Sequence, residues 1–247
     1  MAKQAGLGDN LYIAGYNASG DIGSIGNVGG GPAVITVTGI DKSAMERIGG
    51  VRDGRLEYTA YFNPGLGSTH TKLSALPTAD QVMTYCRGTS LGDPAAALVA
   101  KQLNYDGTRG DSGEFTFAVS AQANGYGVEW GRQLTAGIRT DTAATLGTGI
   151  DTAASVSFGA QAYLHVMAFT GTDATVKIQD SADNSTFADV TGLSFTQITA
   201  GPTSERIATA AGATVRRYLR AVTVTTGGFT SLAFAVTVIK NDTAVTF

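Results

Sequence analysis

The sequence predicts an all-β protein with one or two short helices, built as an antiparallel β-sandwich followed by a second, jelly-roll-like β-sandwich. Three observations support this prediction. Among 247 residues glycine is abundant (33), proline is scarce (5) and charged residues make up 15%, as in short strands joined by many turns. Apolar and polar residues alternate in several stretches, which is typical of strands with one buried face. Helical patterns are short and few: 41–48, 68–76, and the capping-box spacing of Thr78 and Gln81, where a strand is preferred.

The clearest pattern, from Glu114 to Gly137, predicts a β-hairpin. Apolar and polar side chains alternate from 115 to 123, and Asn124-Gly125 then supplies the left-handed backbone of a two-residue type I′ turn. In this register Trp130 lies opposite Val119 on the buried face. We therefore expect Trp130→Ala to lower the free energy of unfolding by about 3 to 5 kcal/mol.

The chain before this hairpin is less regular. Residues 15–31 are rich in glycine and predict either a long flexible loop or a weak edge strand. Residues 33–38 predict a strand, and 41–48 predict one or two helical turns, since Ser43 and Glu46 have capping-box spacing. An aromatic-rich strand is predicted at 56–62.

Further strands follow a short helix. Residues 68–76 predict that helix, with Ser68 as its N-cap and a proline directly after it. Residues 81–87 and 95–105 predict two strands, and the polar stretch 106–113 predicts a turn or loop.

A change in pattern between 140 and 155 predicts a domain boundary. The residues there are mostly small and polar, and apolar residues do not recur at a regular spacing. We assign residues 1–145 to a first domain with a flanking helix, 146–155 to a linker and 156–247 to a second sandwich. Alternation in the second part marks its strands, and the sequence shows it at Val176 and Ile178, at Leu193 and Phe195, and at Leu232, Phe234, Val236 and Val238.

Composition narrows the function classes. Seventeen basic and twenty acidic residues give a net charge of −3, which predicts no nucleic-acid or membrane binding by charge. Cys86 is the only cysteine, so no intramolecular disulfide forms. Residues 1–10 lack the apolar region of a signal peptide, and we expect synthesis in a reducing cytosol. The sequons at Asn17, Asn184 and Asn241 are then chance matches.

The sequence predicts no catalytic, cofactor or metal site. His70 and His165 are the only histidines and fall in different predicted domains. The stretch 110–113, GDSG, resembles a serine-protease nucleophile loop, but no other triad pattern supports it and a tight turn is preferred. The glycine-rich stretch 23–31 lacks the Gly-Lys-Ser/Thr of a phosphate-binding loop.

Two polar clusters in the second part have both a functional and a simple structural interpretation. Asp180, Asp183 and Asn184 could bind calcium, but the spacing lacks an EF-hand pattern, and a β-turn is preferred. The second cluster consists of Arg216, Arg217 and Arg220. These residues could bind an anion or a glycan, although ordinary ion pairing is the preferred interpretation.

Four blocks of sequence resemble the major tail tube proteins of long, non-contractile-tailed bacteriophages. They are TVTGIDKSAMERIGGVRDGRLEYTAYFNP (36–64), LSALPTADQVMTYCRG (73–88), AALVAKQLNYDGTRG (96–110) and AQANGYGVEWGRQLTAGIRTDTAA (121–144). The order and number of the blocks support the resemblance, since none is a mechanistic motif. It covers nearly the whole first domain and extends less specifically into the second.

This resemblance implies a structural virion protein. The family's tube domain is an antiparallel β-sandwich with a flanking helix that forms hexameric rings, stacked into a tube through which DNA passes. The implied partners are other copies of the chain, other phage tail proteins and passing DNA that is not bound sequence-specifically. The implied location is the phage tail, after synthesis in the host cytoplasm, with no membrane contact.

Two further expectations follow from this role. Residues 15–31 would be disordered in the free subunit and ordered in the assembly, because Ile22, Ile25 and Val28 are too few to offset the entropy of ordering within one subunit. The alternative function is a glycan-binding or cell-surface-binding module in the second sandwich. Its candidate aromatic residues are Phe187, Tyr218 and Phe229.

Overall fold

The computed structural model describes residues 7–65 and 67–244. The predicted absence of a signal region concerns residues 1–10, of which 1–6 lie outside the described residues. The described chain is almost entirely β-structure, and every strand pairing is antiparallel. The predicted all-β class is therefore confirmed. No helix among these residues has the length and apolar character needed to cross a membrane.

The first part of the chain contributes nine strands, one short helix and a 3-10 turn at Ser19–Asp21. The elements are β1 (Asn10–Ile13), β2 (Tyr16–Asn17), β3 (Ile22–Thr36), β4 (Arg47–Tyr61), α1 (Thr69–Leu73), β5 (Gln81–Cys86), β6 (Pro94–Gln102), β7 (Asp106–Arg109), β8 (Phe115–Ala123) and β9 (Glu129–Gln133).

The second part contributes eight strands. They are β10 (Arg139–Asp141), β11 (Ile150–Asp151), β12 (Ala160–Gly171), β13 (Thr175–Ser181), β14 (Ala188–Ser194), β15 (Thr203–Ala208), β16 (Tyr218–Val224) and β17 (Phe229–Lys240).

These eight strands form a jelly roll. One four-stranded sheet has the order β11-β16-β13-β14, and the facing strands have the order β15-β12-β17-β10. Numbered from β10, the two orders are 2-7-4-5 and 6-3-8-1, the arrangement of two Greek keys in a jelly roll. Apolar side chains from both sheets meet in one core, represented by Leu164, Ile178, Leu219, Leu232 and Phe234. The predicted jelly-roll-like sandwich is confirmed.

The jelly roll begins earlier than the predicted second domain. Strand β10 pairs with β17, and β11, inside the predicted linker 146–155, pairs with β16. Both strands are very short, so they show no alternation in the sequence. The division into domains 1–145 and 156–247 that fold independently stays a prediction.

The first part encloses its own core. Side chains of β1, β5 and β6 meet those of β4 and β8, with Leu11, Leu56, Met83, Leu98 and Val119 among the buried residues. Leu73 of α1 closes this core and is 1% exposed. Helix α1 confirms the predicted short helix, although Ser68 makes no side-chain cap bond. Its hydroxyl instead donates to the carbonyl oxygen of Asn63 at 2.5 Å.

The two parts share one continuous thirteen-stranded sheet, joined where β9 lies between β6 and β17. Gln133 pairs with Thr237 across this seam. Small apolar clusters also cross it, one of which contains Val82, Tyr163 and Ile239. The seam is therefore both hydrogen-bonded and packed.

The predicted hairpin at 114–137 is wrong. Strand β8 alternates as expected, with Phe117 and Val119 buried, but it pairs with β4, β6 and β7. Strand β9 pairs with β6 and β17 instead. Its inward side chain is Glu129, and Trp130 points outward with 51% exposure. The expected core role of Trp130, with its loss of about 3 to 5 kcal/mol on truncation, is therefore wrong.

Three local predictions before β8 also need correction. Residues 41–48 contain no helix and instead include the loop between β3 and β4. The first part of 106–113 is a strand, β7, and only its last residues form a turn. The glycine-rich stretch is largely strand β3, which pairs only with β4. The edge-strand alternative is confirmed and the flexible-loop alternative is wrong.

The other strand predictions are confirmed. Strands β5 and β6 match 81–87 and 95–105, and 56–62 lies at the end of β4. The alternating apolar residues of the second part are buried: Val176, Ile178, Leu193, Phe195, Leu232, Phe234, Val236 and Val238.

Candidate assembly interface

Among residues 7–65 and 67–244, the largest group of exposed apolar side chains lies in the outer half of the β3–β4 hairpin. Strand β4 pairs with β8 only from Arg55 to Tyr61. Before Arg55 its backbone pairs with β3 alone, while at the root the side chain of Asp53 accepts a hydrogen bond from Gln122 at 3.0 Å and Arg52 lies 3.9 Å from Glu129. We call residues 32–53 the hairpin arm. Within the described residues this arm is a two-stranded ribbon, and such a ribbon is marginally stable in water by itself.

The inner half of the hairpin is anchored to the first core. Ile22, Ile25 and Val28 pack against that core, so the subunit itself supplies a surface for this segment. The expectation that 15–31 is disordered in the free subunit and ordered in the assembly stays a prediction. At the root of the arm, a Cβ on Gly54 would lie 2.6 Å from the backbone nitrogen of Val128. This close approach requires glycine at position 54 and fixes where the arm leaves the body.

The end of the arm is closed by local hydrogen bonds. The backbone nitrogen of Val37 donates to the carbonyl oxygen of Glu46 at 3.0 Å. The backbone nitrogen of Glu46 donates to Oγ1 of Thr38 at 2.9 Å. Thr38 and Glu46 therefore clamp the loop, and the loop keeps its shape without a helix.

The arm exposes apolar side chains on both faces. Val51 is 81% exposed and Ile40 is fully exposed. The full set of exposed large apolar side chains is Val34, Ile35, Val37, Ile40, Met45, Ile48 and Val51. Exposed apolar side chains grouped on one ribbon in this way indicate an interaction surface in a soluble protein.

A second exposed apolar surface lies at the other end of β4. Tyr61, Phe62 and Phe115 are 55%, 42% and 39% exposed, and we call these three residues the aromatic patch. The rings of Phe62 and Phe115 lie 5.5 Å apart. His70 of α1 packs edge-on against Phe62 at 4.7 Å. The arm and the aromatic patch thus occupy opposite ends of one strand.

The residues considered for catalysis are not brought together. His70 Nδ1 lies 2.9 Å from the hydroxyl of Tyr105, beside the aromatic patch. His165 is buried at the seam, where burial lowers its pKa to about 3. Ser112 lies in an exposed turn. Burial raises the pKa of the Cys86 thiol to about 12. The absence of a catalytic site stays a prediction.

The aspartate cluster forms a turn and an ion pair. Asp183 accepts hydrogen bonds from the backbone nitrogens of Ser185 and Thr186, both at 2.9 Å, and these bonds hold its pKa well below its usual range. Asp180 pairs with Arg216 at 2.6 Å. The β-turn interpretation of this cluster is therefore favoured. Among residues 7–65 and 67–244, no group of three or more His, Cys, Asp or Glu side chains has metal-binding geometry.

The arginine cluster is dispersed. Arg217 pairs with Asp151 at 2.6 Å, while Arg220 donates to Oε1 of Gln179 at 2.7 Å. The predicted ion pairing is thus confirmed for Arg216 and Arg217. Arg220 instead bonds a neutral amide and stacks over the ring of Phe187 at 4.0 Å.

The aromatic residues named for glycan binding are mostly occupied. Phe229 is buried in the jelly-roll core. Phe187 is half-buried under Arg220, and Tyr218 is half-buried beside Arg217, whose guanidinium carbon lies 5.1 Å from its ring centroid. Sequence reasoning missed Trp130, the more exposed aromatic side chain, because the hairpin prediction placed it in the core.

No protein-family model and no curated protein sequence matches the chain. Among solved structures it is similar to the SPP1 Dit protein, described as a paradigm of hub adsorption apparatus in phages that infect Gram-positive hosts. Identity there is 11%, coverage is 94% of this chain and 99% of that chain, and the TM-score is 0.32. It is also similar to chains of the activated phage p2 baseplate with strontium (8% identity, 95% and 99% coverage, TM-score 0.34) and with calcium (10%, 95% and 99%, 0.28). Likenesses this weak do not support a functional assignment.

Proposed function

We propose that the chain is a non-enzymatic structural subunit of a phage tail, and more specifically of the tail tube, that assembles through its hairpin arm. The sequence resemblance to tail tube proteins supports this role. Its longest block, 36–64, contains the outer loop and the second strand of the arm. The single observation on which the proposal depends is the arm's exposed apolar surface.

The energetics of the arm favour a partner. Fully burying one aliphatic side chain contributes roughly 1.5 to 3 kcal/mol. The arm exposes seven large apolar side chains. Together they can contribute roughly 10 kcal/mol or more, which is of the order of the cost of association, roughly 4 to 15 kcal/mol. Burial of the arm against a second copy can therefore offset the cost of association.

The positions of the two exposed surfaces favour a head-to-tail contact. Strand β4 runs from Arg47 at the arm to Tyr61 at the aromatic patch, which separates them by roughly 45 Å at about 3.3 Å per residue. One chain cannot cover its own patch with its own arm at this distance. In our proposal the arm of one copy lies against the aromatic patch of the next. A heterologous contact of this kind, repeated around an axis, closes a ring.

The proposed rings are hexameric and stack into a conduit for DNA. The first part, 1–145, would form the wall, and the second sandwich, 156–247, would lie on the exterior. The net charge of −3 suits a lumen through which DNA slides, because a basic wall would bind phosphates and retard it.

Negative-stain electron microscopy of the purified full chain tests this function. Stacked rings that form a tube with an open lumen are the expected result. Single rings that never stack would favour a hub role, as described for the SPP1 Dit protein, over a tube. Monomers alone at high protein concentration would contradict an assembly function.

A further inference from the structure

A cleft of about 360 Å³ lies beside β9 at the seam between the two parts of the chain. One wall is formed by the outward side chains of β9, and the other by the segment 152–156 and the end of β17. The lining residues that matter here are Pro94, Trp130, Arg132, Thr152, Lys240 and Asp242. The cleft contains no residue of the hairpin arm or the aromatic patch.

Trp130 gives this cleft an apolar platform. It is the only tryptophan in the chain, and about half of its surface is exposed. An exposed indole offers a large flat face for stacking and one N–H donor at its edge.

The polar groups around the indole are held in place by the fold. Arg132 donates from Nη1 to the carbonyl oxygen of Gly92 at 3.0 Å. Lys240 donates from Nζ to Oγ1 of Thr152 at 2.7 Å and to the carbonyl oxygen of Arg216 at 3.2 Å. Lys240 thereby fixes the 152–156 wall, and burial lowers its pKa. Donors and acceptors at defined positions are what a specific polar ligand requires.

We infer that this cleft binds a small neutral saccharide. A pyranose ring has an apolar face of C–H groups that fits the indole of Trp130. Its edge of hydroxyl groups both donates and accepts, which matches the donor Arg132 and the acceptor Asp242 on the two sides of the cleft. The ammonium of Lys240 already donates to Thr152 and to the carbonyl oxygens of Ala154 and Arg216. The charged groups left to face a ligand are Arg132 and Asp242, which have opposite signs, and this pair suits a neutral polyol.

The same features argue against a protein partner at this site. Protein interfaces are depleted of lysine and aspartate at their centres and are built around several apolar side chains. Here the single aromatic ring is flanked by Arg132, Lys240 and Asp242, and the other apolar side chains of the lining are small: Pro94, Ala154, Val156 and Val238. The inference does not depend on the assembly role, since the cleft lies outside both surfaces proposed for assembly.

The single tryptophan makes the site directly measurable. We would excite tryptophan fluorescence in the full chain and titrate glucose, galactose, N-acetylglucosamine, rhamnose and their common disaccharides. We expect a saturable change in emission with at least one of them. Arg132→Met and Asp242→Asn should each weaken that saccharide about tenfold, the effect of losing one hydrogen bond to a charged group. Phe187→Ala, an aromatic change in the connection between β13 and β14 and outside the cleft, should leave the affinity unchanged.

A second measurement tests whether the saccharide contacts Trp130 directly. Saturation-transfer NMR on the same saccharide should show transfer to its C–H protons, and Trp130→Ala should abolish this transfer while circular dichroism shows a folded protein. Emission that responds to no saccharide of the panel would overturn the inference. Emission that shifts with protein concentration, and not with saccharide, would place Trp130 in a contact between copies and would also overturn it. Sedimentation of the same samples reports assembly separately.

Discussion

The imidazole of His165 on β12 lies against the hydroxyl of Thr84 on β5, with Nε2 and Oγ1 2.9 Å apart. Its other nitrogen, Nδ1, accepts a hydrogen bond from the backbone nitrogen of Gly15 at 3.3 Å. Because Nδ1 is the acceptor, the proton of the neutral ring is on Nε2, which donates to Thr84. The aromatic neighbour is Tyr12, with ring centroids 5.8 Å apart. This neutral histidine connects the two parts of the chain.

Acid should therefore weaken the protein through His165. Burial lowers the pKa of His165 to about 3, below the usual value of about 6.5 in an unfolded chain. Between these values the unfolded chain binds a proton that the folded chain does not. The contribution of neutral His165 to the free energy of unfolding is fully present above about pH 6.5. It is lost as the pH falls toward 3, with a slope approaching about 1.4 kcal/mol per pH unit.

Urea unfolding of the wild type and of His165→Gln across this pH window measures the effect. The variant keeps a hydrogen-bonding group without a titrating one. Its stability should fall less steeply with acid than that of the wild type. Parallel curves for the two proteins would show that His165 is not the group responsible.

A buried ion cluster at the seam gives the second prediction. Glu129 of β9 is 4% exposed and pairs with Arg206 of β15 at 3.3 Å. It also accepts hydrogen bonds from Gln161, at 3.0 Å, and from the hydroxyl of Tyr163. Arg206→Met removes a positive charge that stabilises the buried carboxylate of Glu129. The change should lower the free energy of unfolding by about 3 to 5 kcal/mol.

A double-mutant cycle tests whether this loss of stability comes from the interaction between Glu129 and Arg206. Adding Glu129→Gln to Arg206→Met removes the buried charge and should recover at least about 1 kcal/mol. As a control, Arg217→Met breaks the exposed pair with Asp151 and should cost much less, because water screens that pair. Additive losses in the Glu129–Arg206 cycle would contradict the account of the cluster.

The third prediction concerns close packing of β9 against β17. A Cβ on Gly131 would lie 2.1 Å from the carbonyl oxygen of Val238. Gly131→Ala should therefore force the strands apart and cost about 1 to 3 kcal/mol. Gly20, where a Cβ meets nothing within 4 Å, is the matched control, and its change to alanine should stay within about 0.5 kcal/mol. Equal thermal or denaturant stability of the two variants would argue against this packing.

The sequence predicts the jelly-roll strands well where side chains alternate, as in β13 and β17. It leaves β3 undecided between a loop and an edge strand, because glycines have no side chains with which to alternate. It fails at β8 and β9, where Asn124-Gly125 suggested a local turn. In the structure the backbone nitrogen of Asn124 donates to the carbonyl oxygen of Val99 at 2.9 Å, and β8 takes distant β4 as a partner. Alternation shows that a strand has a buried face but does not identify its neighbour.

The candidate sites also depend on tertiary neighbours that local sequence patterns do not identify. The arm residue Val51 and the cleft residue Trp130 are apolar, and apolar residues in a sequence are expected in the core. Their exposure follows from tertiary pairing. Glu129 takes the inward position on β9 because Arg206, 77 residues away along the chain, stabilises its charge there. No local pattern contains that information.

Sedimentation velocity of three full-length proteins shows whether the hairpin arm drives assembly. They are the wild type, Val51→Lys in the arm, and Leu146→Lys, which changes an apolar side chain of similar exposure in the jelly-roll part. We expect the wild type and Leu146→Lys to sediment as the same large assemblies. Val51→Lys should sediment as a folded monomer, since its partner would have to bury a charge. Assemblies of Val51→Lys equal to those of the wild type would contradict the claim.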